Sequence, residues 1–353
     1  PTVWRNGAQG LIRVGSAFES TGTSTTAYQG VSGADVIVNE GQIVGDIDLG
    51  GGNDIYLDKG NGAVTGAIDG GDGDHDAYGR SFSESGTIAL ANGSLNANGR
   101  TGFEMHGIEA AGTDTVVTVT AEGALENGLH IIGDGTVVND ADITVAGVNY
   151  GVFIRDIANV AGNGTFVNRG NVTAANYALW SESAGGTIRN EGRLAGAFGV
   201  TIDADEDASG DELNFGNTGD IESTSVTSNT VNIFLDKVDH IARISNGADG
   251  RIRNLAGDAR NDSAIALNVR SRARVELDND GEISAQSRTD GGARIEAMSI
   301  DIDNSGTIEG SGAGGSGLTL IANGSASGSD PETVASVRNS GMIRANGGST
   351  GID

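Results

Sequence analysis

The hydrophobic residues of this chain recur in short runs in which apolar and polar positions alternate. Each run is about five residues long, and several begin with glycine, as in Gly317-Leu318-Thr319-Leu320-Ile321. An alternation with a period of two predicts β-strands that have one buried face. No window shows a sustained period of 3.6 residues, so we expect few helices. The predicted strands cover residues 150–154, 176–180, 198–202, 231–235, 264–269 and 317–321.

A second unit lies between these runs. It consists of an apolar residue, one or two spacers, an asparagine, a turn that usually contains glycine, and another apolar residue, as in Val167-Asn168-Arg169-Gly170-Asn171-Val172. From Asn139 onward, successive asparagines are 29, 22, 27, 29, 33, 25 and 35 residues apart, with a mean of about 29. Such a period is typical of solenoids. The asparagines are Asn39, Asn139, Asn168, Asn190, Asn217, Asn246, Asn279, Asn304 and Asn339.

These two units predict an all-β protein, a right-handed parallel β-helix (β-solenoid) of about 12 coils. Stacking is required because one coil cannot bury its inward side chains alone. We expect asparagine and glycine at the corners, since both tolerate a left-handed backbone, and we expect asparagine side chains to form ladders between coils. Residues 31–353 are assigned to the β-helix. Residues 1–30 lack the repeat and are expected to form an N-terminal cap or partial coil.

Composition narrows the protein class. The chain has 353 residues with 59 glycines, 2 prolines, no cysteine and a net charge of −27. The scarcity of proline excludes collagen, and the absence of cysteine excludes disulfides and thiolate zinc sites. The acidic balance argues against nucleic acid and anionic membranes as partners. No apolar run is long enough for a membrane-spanning helix.

An acidic, glycine-rich stretch between residues 46 and 76 offers a candidate cation site. Two segments within it, 49–56 and 70–76, approximate the nonapeptide that binds calcium in parallel β-rolls. Calcium prefers six to eight oxygen ligands, which carboxylates and turn carbonyls supply. Calcium is therefore the only cofactor that the sequence suggests, and its candidate ligands are Asp54, Asp72, Asp74 and Asp76.

The sequence gives little support for a catalytic site. The four histidines share no ligand spacing and are expected at the surface or in turns, and no nucleophile or phosphate-binding motif occurs. With aromatic residues at 4%, a sugar-binding platform is not expected, and Trp180 is expected to pack into or cap the interior column. Arginines cluster modestly in the segment 243–274, and an enzyme becomes more plausible if several of them line one face beside carboxylates. These arginines are Arg243, Arg251, Arg253, Arg260, Arg270, Arg272 and Arg274.

Several strings resemble passenger domains of bacterial autotransporters, among them Val337-Arg338-Asn339-Ser340-Gly341-Met342-Ile343 and Asp48-Leu49-Gly50-Gly51-Gly52-Asn53-Asp54-Ile55-Tyr56. The resemblance covers most of residues 36–353. It implies export to the extracellular space or the cell surface of a Gram-negative bacterium. It also implies a C-terminal outer-membrane barrel beyond this chain, which would be its only link to a membrane.

The leading hypothesis is accordingly a non-enzymatic, surface-displayed passenger, truncated before that barrel, that acts as an adhesin or rigid scaffold. Its partner is expected to be an unidentified surface protein or glycan. Two alternatives remain open. One is a glycan-active enzyme, either a polysaccharide lyase or a glycoside hydrolase, built on a β-helix. The other is a calcium-dependent surface or biofilm protein.

Overall fold

The computed structural model describes residues 2–7, 11–13, 26–146, 150–155, 164–183, 185–204, 212–236, 240–256, 264–285, 290–311, 315–323, 334–346 and 351–352. Within these residues it contains 38 strands and no helix. None of these residues therefore lies in a helix long and apolar enough to cross a membrane. Strands are numbered in chain order.

The first sheet runs through every coil and contains 13 parallel strands. Its strands are β1 (Thr2–Asn6), β4 (Asp35–Asn39), β7 (Ile55–Lys59), β10 (Ala77–Phe82), β13 (Met105–Ala110), β15 (Gly128–Ile132), β18 (Tyr150–Ile154), β21 (Tyr177–Ser181), β24 (Phe198–Ala204), β27 (Val231–Leu235), β30 (Leu267–Ser271), β33 (Asp290–Ala297) and β36 (Ser316–Ala322).

The second side of each coil forms a sheet of three strands followed by a sheet of ten. The three are β2 (Leu11–Arg13), β5 (Gln42–Val44) and β8 (Ala63–Val64). The ten are β11 (Gly86–Leu90), β14 (Val116–Ala121), β16 (Thr136–Asn139), β19 (Thr165–Asn168), β22 (Gly186–Asn190), β25 (Glu212–Asn217), β28 (Ile241–Asn246), β31 (Arg274–Asn279), β34 (Ser299–Asn304) and β37 (Val334–Asn339).

The third side is built in the same way, from four strands and then eight. The four are β3 (Thr26–Gln29), β6 (Asp46–Asp48), β9 (Ile68–Asp69) and β12 (Arg100–Thr101). The eight are β17 (Ile143–Val145), β20 (Asn171–Ala174), β23 (Arg193–Gly196), β26 (Asp220–Ser223), β29 (Arg251–Asn254), β32 (Glu282–Ala285), β35 (Thr307–Gly310) and β38 (Met342–Ala345).

This arrangement confirms the predicted parallel β-helix. Every strand pairing is parallel and joins one coil to the next, and we number the coils by their strand in the first sheet. There are 13 coils rather than about 12, because early coils are short. The register steps from Val36 to Ile55 to Ala77 are only 19 and 22 residues. The apolar interior is a stack of equivalent residues, as in Leu179, Val200 and Val231.

The asparagine ladder is confirmed from Asn139 to Asn339. Each asparagine ends a strand of the second side, and its Nδ2 donates to the Oδ1 of the asparagine in the next coil, over 2.6 to 2.9 Å. Most also donate to the carbonyl two residues ahead, as Asn217 does to Gly219. Because all but Asn339 are buried, the ladder satisfies amides that water cannot reach.

One member of the repeat occupies a different place. Asn39 ends β4 in the first sheet, where its Oδ1 accepts from Asn6 Nδ2 at 2.9 Å. The same local pattern thus serves two corners of the solenoid, and the later ladder does not extend back to Asn39.

The expected left-handed corners are wrong for these asparagines. Among the described non-glycine residues, only Asn98 has a positive φ. The corner glycines are required by close stacking instead: a Cβ on any of them would lie 2.0 to 2.2 Å from a carbonyl oxygen of the preceding coil. These glycines are Gly170, Gly192, Gly219, Gly281, Gly306 and Gly341.

Removing one rung of the ladder should measure its contribution. We expect Asn217→Ala to lower the free energy of unfolding by about 1–3 kcal/mol, because Asn246 Oδ1 loses its donor and Asn190 Nδ2 loses its acceptor in a buried site. The measurement is chemical denaturation followed by circular dichroism. Asn214→Ala, in the same strand but on its outer face, is the control and should change stability by less than about 0.5 kcal/mol. Equal losses for the two variants would contradict a stabilising ladder.

The first sheet is strongly curved in the early coils, with its outer surface concave. Arg5 in β1 donates to Glu109 in β13 at 2.6 Å, although four strand spacings would separate these strands by about 19 Å in a flat sheet. Arg155 Nη1 likewise reaches the carbonyl of Asn53 at 2.9 Å across four coils. We call this outer surface of coils 1–7 the concave face. Gly79 permits the curvature, since a Cβ there would lie 1.6 Å from the Gly107 carbonyl oxygen.

Candidate functional site

Two of the four predicted calcium ligands stack on each other at the start of the first-sheet strands. Asp54 Oδ1 accepts the backbone N–H of Asp35 at 2.6 Å, and Asp76 Oδ1 accepts that of Asp54 at 2.7 Å. Glu104 Oε2 continues the pattern with the N–H of Asp76 at 3.0 Å. We call Asp35, Asp54, Asp76 and Glu104 the acidic column. The carboxylates of Asp54, Asp76 and Glu104 each accept a backbone N–H of the preceding coil and so tie one coil to the next, whereas the carboxylate of Asp35 accepts from the Tyr28 hydroxyl.

The other two predicted ligands lie apart from the column. Asp72 and Asp74 are exposed in the glycine-rich turn before β10, whereas Asp54 and Asp76 are fully buried. Within the described part of the chain, no three histidine, aspartate or glutamate residues are grouped so that they could hold a metal ion. The four residues therefore do not together form the oxygen shell that calcium requires. Calcium binding stays a prediction, tested by the melting temperature with calcium and with a chelator.

Burial governs the protonation of the acidic column. The pKa of Asp76 is raised to about 7, chiefly by desolvation and also by the charges of Asp54, Glu104 and Asp69, while the hydrogen bond from the Asp54 N–H opposes the rise. Desolvation raises the pKa of Asp54 to about 6, with the Arg155 charge among the opposing influences. The second oxygens, Oδ2 of both residues, are buried with no hydrogen-bond partner. Asp54 and Asp76 therefore take up protons near neutral pH.

The prediction that the histidines lie at the surface is wrong, because all four are buried, although His75 and His240 do lie in segments between strands. His75, His106, His130 and His240 are 5%, 3%, 1% and 0% exposed. His75 and His130 lie on the concave face, with ring centroids 4.3 Å from Tyr150 and 4.7 Å from Phe153. Desolvation lowers the pKa of His75 and His130, and it lowers the pKa of His106 to about 4. These three rings are therefore neutral and pack as part of the core.

The arginines of segment 243–274 are distributed over all three sides. Arg243 and Arg274 lie on the second side, Arg251 and Arg253 on the third, and Arg270 on the first, while Arg260 lies outside the described residues. On the second side, Arg243 bonds Glu212 of the preceding coil at 2.8 Å and Glu276 of the next coil. On the third side, Arg253 bonds Glu222 of the preceding coil at 2.6 Å. These ion pairs join neighbouring coils.

Aromatic residues gather on the outer surface of the first sheet, beside the concave face. Tyr150, Tyr177 and Phe198 occupy equivalent positions in three successive coils, and Phe153 and Trp180 pair in the same way three residues further along their strands. The expectation that Trp180 packs into or caps the interior column is wrong, since it lies half-buried on the outer surface. A sequence signal existed: an aromatic residue begins each of these three strands. The low total aromatic content concealed this signal, because a few rings are enough to form a cluster when they occupy equivalent positions in successive coils.

The cluster opens into a groove across β21, β24 and β27. The groove has a volume of about 270 Å³ and is lined by aromatic rings, side-chain amides, hydroxyls and one carboxylate. We call it the aromatic groove. Its principal residues are Tyr177, Trp180, Phe198, Asp203, Asn232 and Phe234.

Comparison with protein families, with curated proteins and with solved structures finds no match for this chain. The resemblance to autotransporter passengers therefore stays a prediction.

Proposed function

We propose that this chain is a non-enzymatic, surface-displayed passenger of an autotransporter, located outside a Gram-negative cell, that acts as a rigid scaffold with an adhesive face. The single observation that carries the proposal is the uninterrupted stack of 13 coils. A stack of this kind holds its outer side chains in fixed rows, which suits the display of a binding surface.

The internal contacts support rigidity. Buried asparagine side chains link consecutive coils from Asn139 to Asn339, and the early coils are joined by the acidic column. The spacing of the asparagines varies from 22 to 35 residues without disturbing the ladder. Segments of different length thus leave the column intact, and such segments are where recognition residues can vary.

The charged residues favour a scaffold over the alternative of a glycan-active enzyme. Such an enzyme would need arginines and carboxylates that converge in one cleft. A cleft on the second side does bring Arg243 and Arg338 beside four carboxylates, but both arginines are paired with carboxylates of adjacent coils, Arg243 with Glu212 and Arg338 with Asp303. The described arginines on the first and third sides lie outside this cleft. Ion pairs of this kind fix the register between coils, each with a modest effect on stability.

Surface display tests the proposal. The chain is inserted between a signal peptide and an outer-membrane translocator in a Gram-negative laboratory strain. We expect external protease to remove it from intact cells, and we expect these cells to attach to cultured epithelial monolayers several-fold more than cells with the translocator alone. Attachment is measured by counting adherent bacteria. A displayed chain that leaves attachment at the level of the translocator alone would refute the adhesive role.

A further inference from the structure

The aromatic groove presents rigid ring surfaces to solvent. Tyr177 stacks on Phe198 with ring centroids 4.3 Å apart and an interplanar angle of 18°. Trp180 meets Tyr177 edge-on, at 4.8 Å and 87°. All three rings are half-buried, so neighbouring side chains hold them while part of each ring stays accessible. Exposed apolar area of this kind favours a ligand with an apolar face.

Side-chain amides form the polar edge of the same groove. Asn232 Oδ1 accepts from Asn268 Nδ2 at 2.7 Å and from Asn229 Nδ2 at 3.0 Å. These two bonds orient the Asn232 amide. Its Nδ2 has no partner among the described residues, so both of its hydrogens are available to a ligand. Asp203, which is exposed, adds carboxylate acceptors to the lining.

The negative charge of the chain limits the class of ligand further. The chain carries a net charge of −27, and the groove itself contains the Asp203 carboxylate, so a polyanion would be repelled. The ligand should be uncharged, with an apolar face that covers an aromatic ring and an edge rich in hydroxyl groups. A pyranose ring has both features. An open groove of about 270 Å³ suits one or two sugar units of a chain that extends along the sheet.

We propose that the aromatic groove binds a neutral oligosaccharide. A sugar ring lies against Trp180, one hydroxyl accepts from Asn232 Nδ2, and another donates to Asp203. This inference rests on the proposed adhesive function and assigns it a site and a ligand class.

Titration of the purified chain tests the site. The chain has two tryptophans, and Trp4 lies in the first coil against Tyr28, so Trp4→Phe leaves Trp180 as the only tryptophan, whose emission is excited selectively over that of the tyrosines. The neutral probes are hexasaccharides of β-1,4-glucose, α-1,4-glucose, β-1,4-mannose and β-1,4-xylose, and the anionic probe is hexagalacturonate. We expect a saturable change in Trp180 emission with at least one neutral probe and none with hexagalacturonate.

Substitutions inside and outside the aromatic groove test whether the oligosaccharide binds there. Measured by isothermal titration calorimetry, Trp180→Ala and Asn232→Ala should each weaken binding at least tenfold. Arg189→Ala, in the same coil but on the second side, should leave binding unchanged. Circular dichroism verifies the fold of each variant, and Asn232→Ala removes no core side chain. Failure of every neutral probe to bind, preferential binding of hexagalacturonate, or unchanged affinity in both groove variants would overturn the inference.

Attachment assays with cells that display the chain distinguish a failure of the sugar site from a failure of the proposed adhesive function. If the groove is the adhesive site, excess soluble hexasaccharide and Trp180→Ala should each reduce attachment to the level of the translocator alone. Attachment that resists both would reject the sugar site and favour a protein-binding surface elsewhere, with the adhesive function intact. Absence of attachment, with sugar binding retained by the purified chain, would reject the adhesive function alone.

Discussion

Asp76→Asn should flatten the dependence of stability on pH. The pKa of Asp76 rises from 3.8 to about 7 on folding, so the folded chain binds more protons than the unfolded chain between these values. The stabilisation from this proton is complete below about pH 4 and is lost as the pH rises through about 7. Between pH 5 and pH 8, Asp76 should cost the wild-type protein on the order of 3 kcal/mol of stability.

Asparagine keeps an acceptor for the Asp54 N–H and cannot ionise, which is why the variant should lose the part of the pH dependence that comes from Asp76 and keep the part that comes from Asp54. The measurement is urea denaturation at pH 5 and pH 8 for both proteins. Asp72→Asn is the matched control, because it removes the same charge from an exposed position in the same turn. If the two variants show the same pH profile, the buried column is not the source of the effect.

Gly219→Ala should be among the most destabilising single-methyl changes in the molecule. An added Cβ would lie 2.0 Å from the Gly192 carbonyl oxygen of the preceding coil, so a backbone segment has to move. That carbonyl accepts the N–H of Asp220, and displacement would strain the pairing between coils 8 and 9. We expect a loss of about 3 kcal/mol in the free energy of unfolding.

Gly216→Ala supplies the control, three residues away. A Cβ there would meet only the side chains of Ser245 and Arg189, at 3.4 and 3.6 Å. We expect it to be neutral or slightly stabilising, because alanine restricts the unfolded chain more than glycine does. Thermal melting of both variants compares them directly. Similar melting temperatures would show that the corner glycines are not required by coil stacking.

The fold was largely predictable because the same residue types recur at equivalent positions of successive coils. Asn168, Asn190 and Asn217 recur with apolar neighbours at fixed offsets, and only one stacking register lets each amide bond the next. A second pattern, the alternation of apolar and polar residues, predicted strands of the first sheet, including Val231–Leu235. The physical role of glycine was not predictable in this way, since a local pattern does not show how closely the preceding coil approaches.

The candidate site was predictable only in part. Asp54 and Asp76 were singled out by their motif and do stack, but the motif assigned Asp72 and Asp74 to the same site, and these face solvent. The aromatic groove was missed because its residues come from strands that begin 21 to 54 positions apart and meet only through the coil register. The contact of His75 with Tyr150, which lies several coils further along the stack, likewise depends on the curvature of the first sheet.

The sequence by itself therefore determined the strand period, the parallel stacking and the column of asparagines, because equivalent residues in successive coils must lie side by side. Only the tertiary structure decided how far the first sheet bends, and hence that Arg5 meets Glu109 and that histidines and carboxylates are withdrawn from water. The reason is that curvature accumulates from small rotations between coils. Contacts between residues about 100 positions apart therefore depend on the accumulated curvature of several coils, and no single repeat determines them.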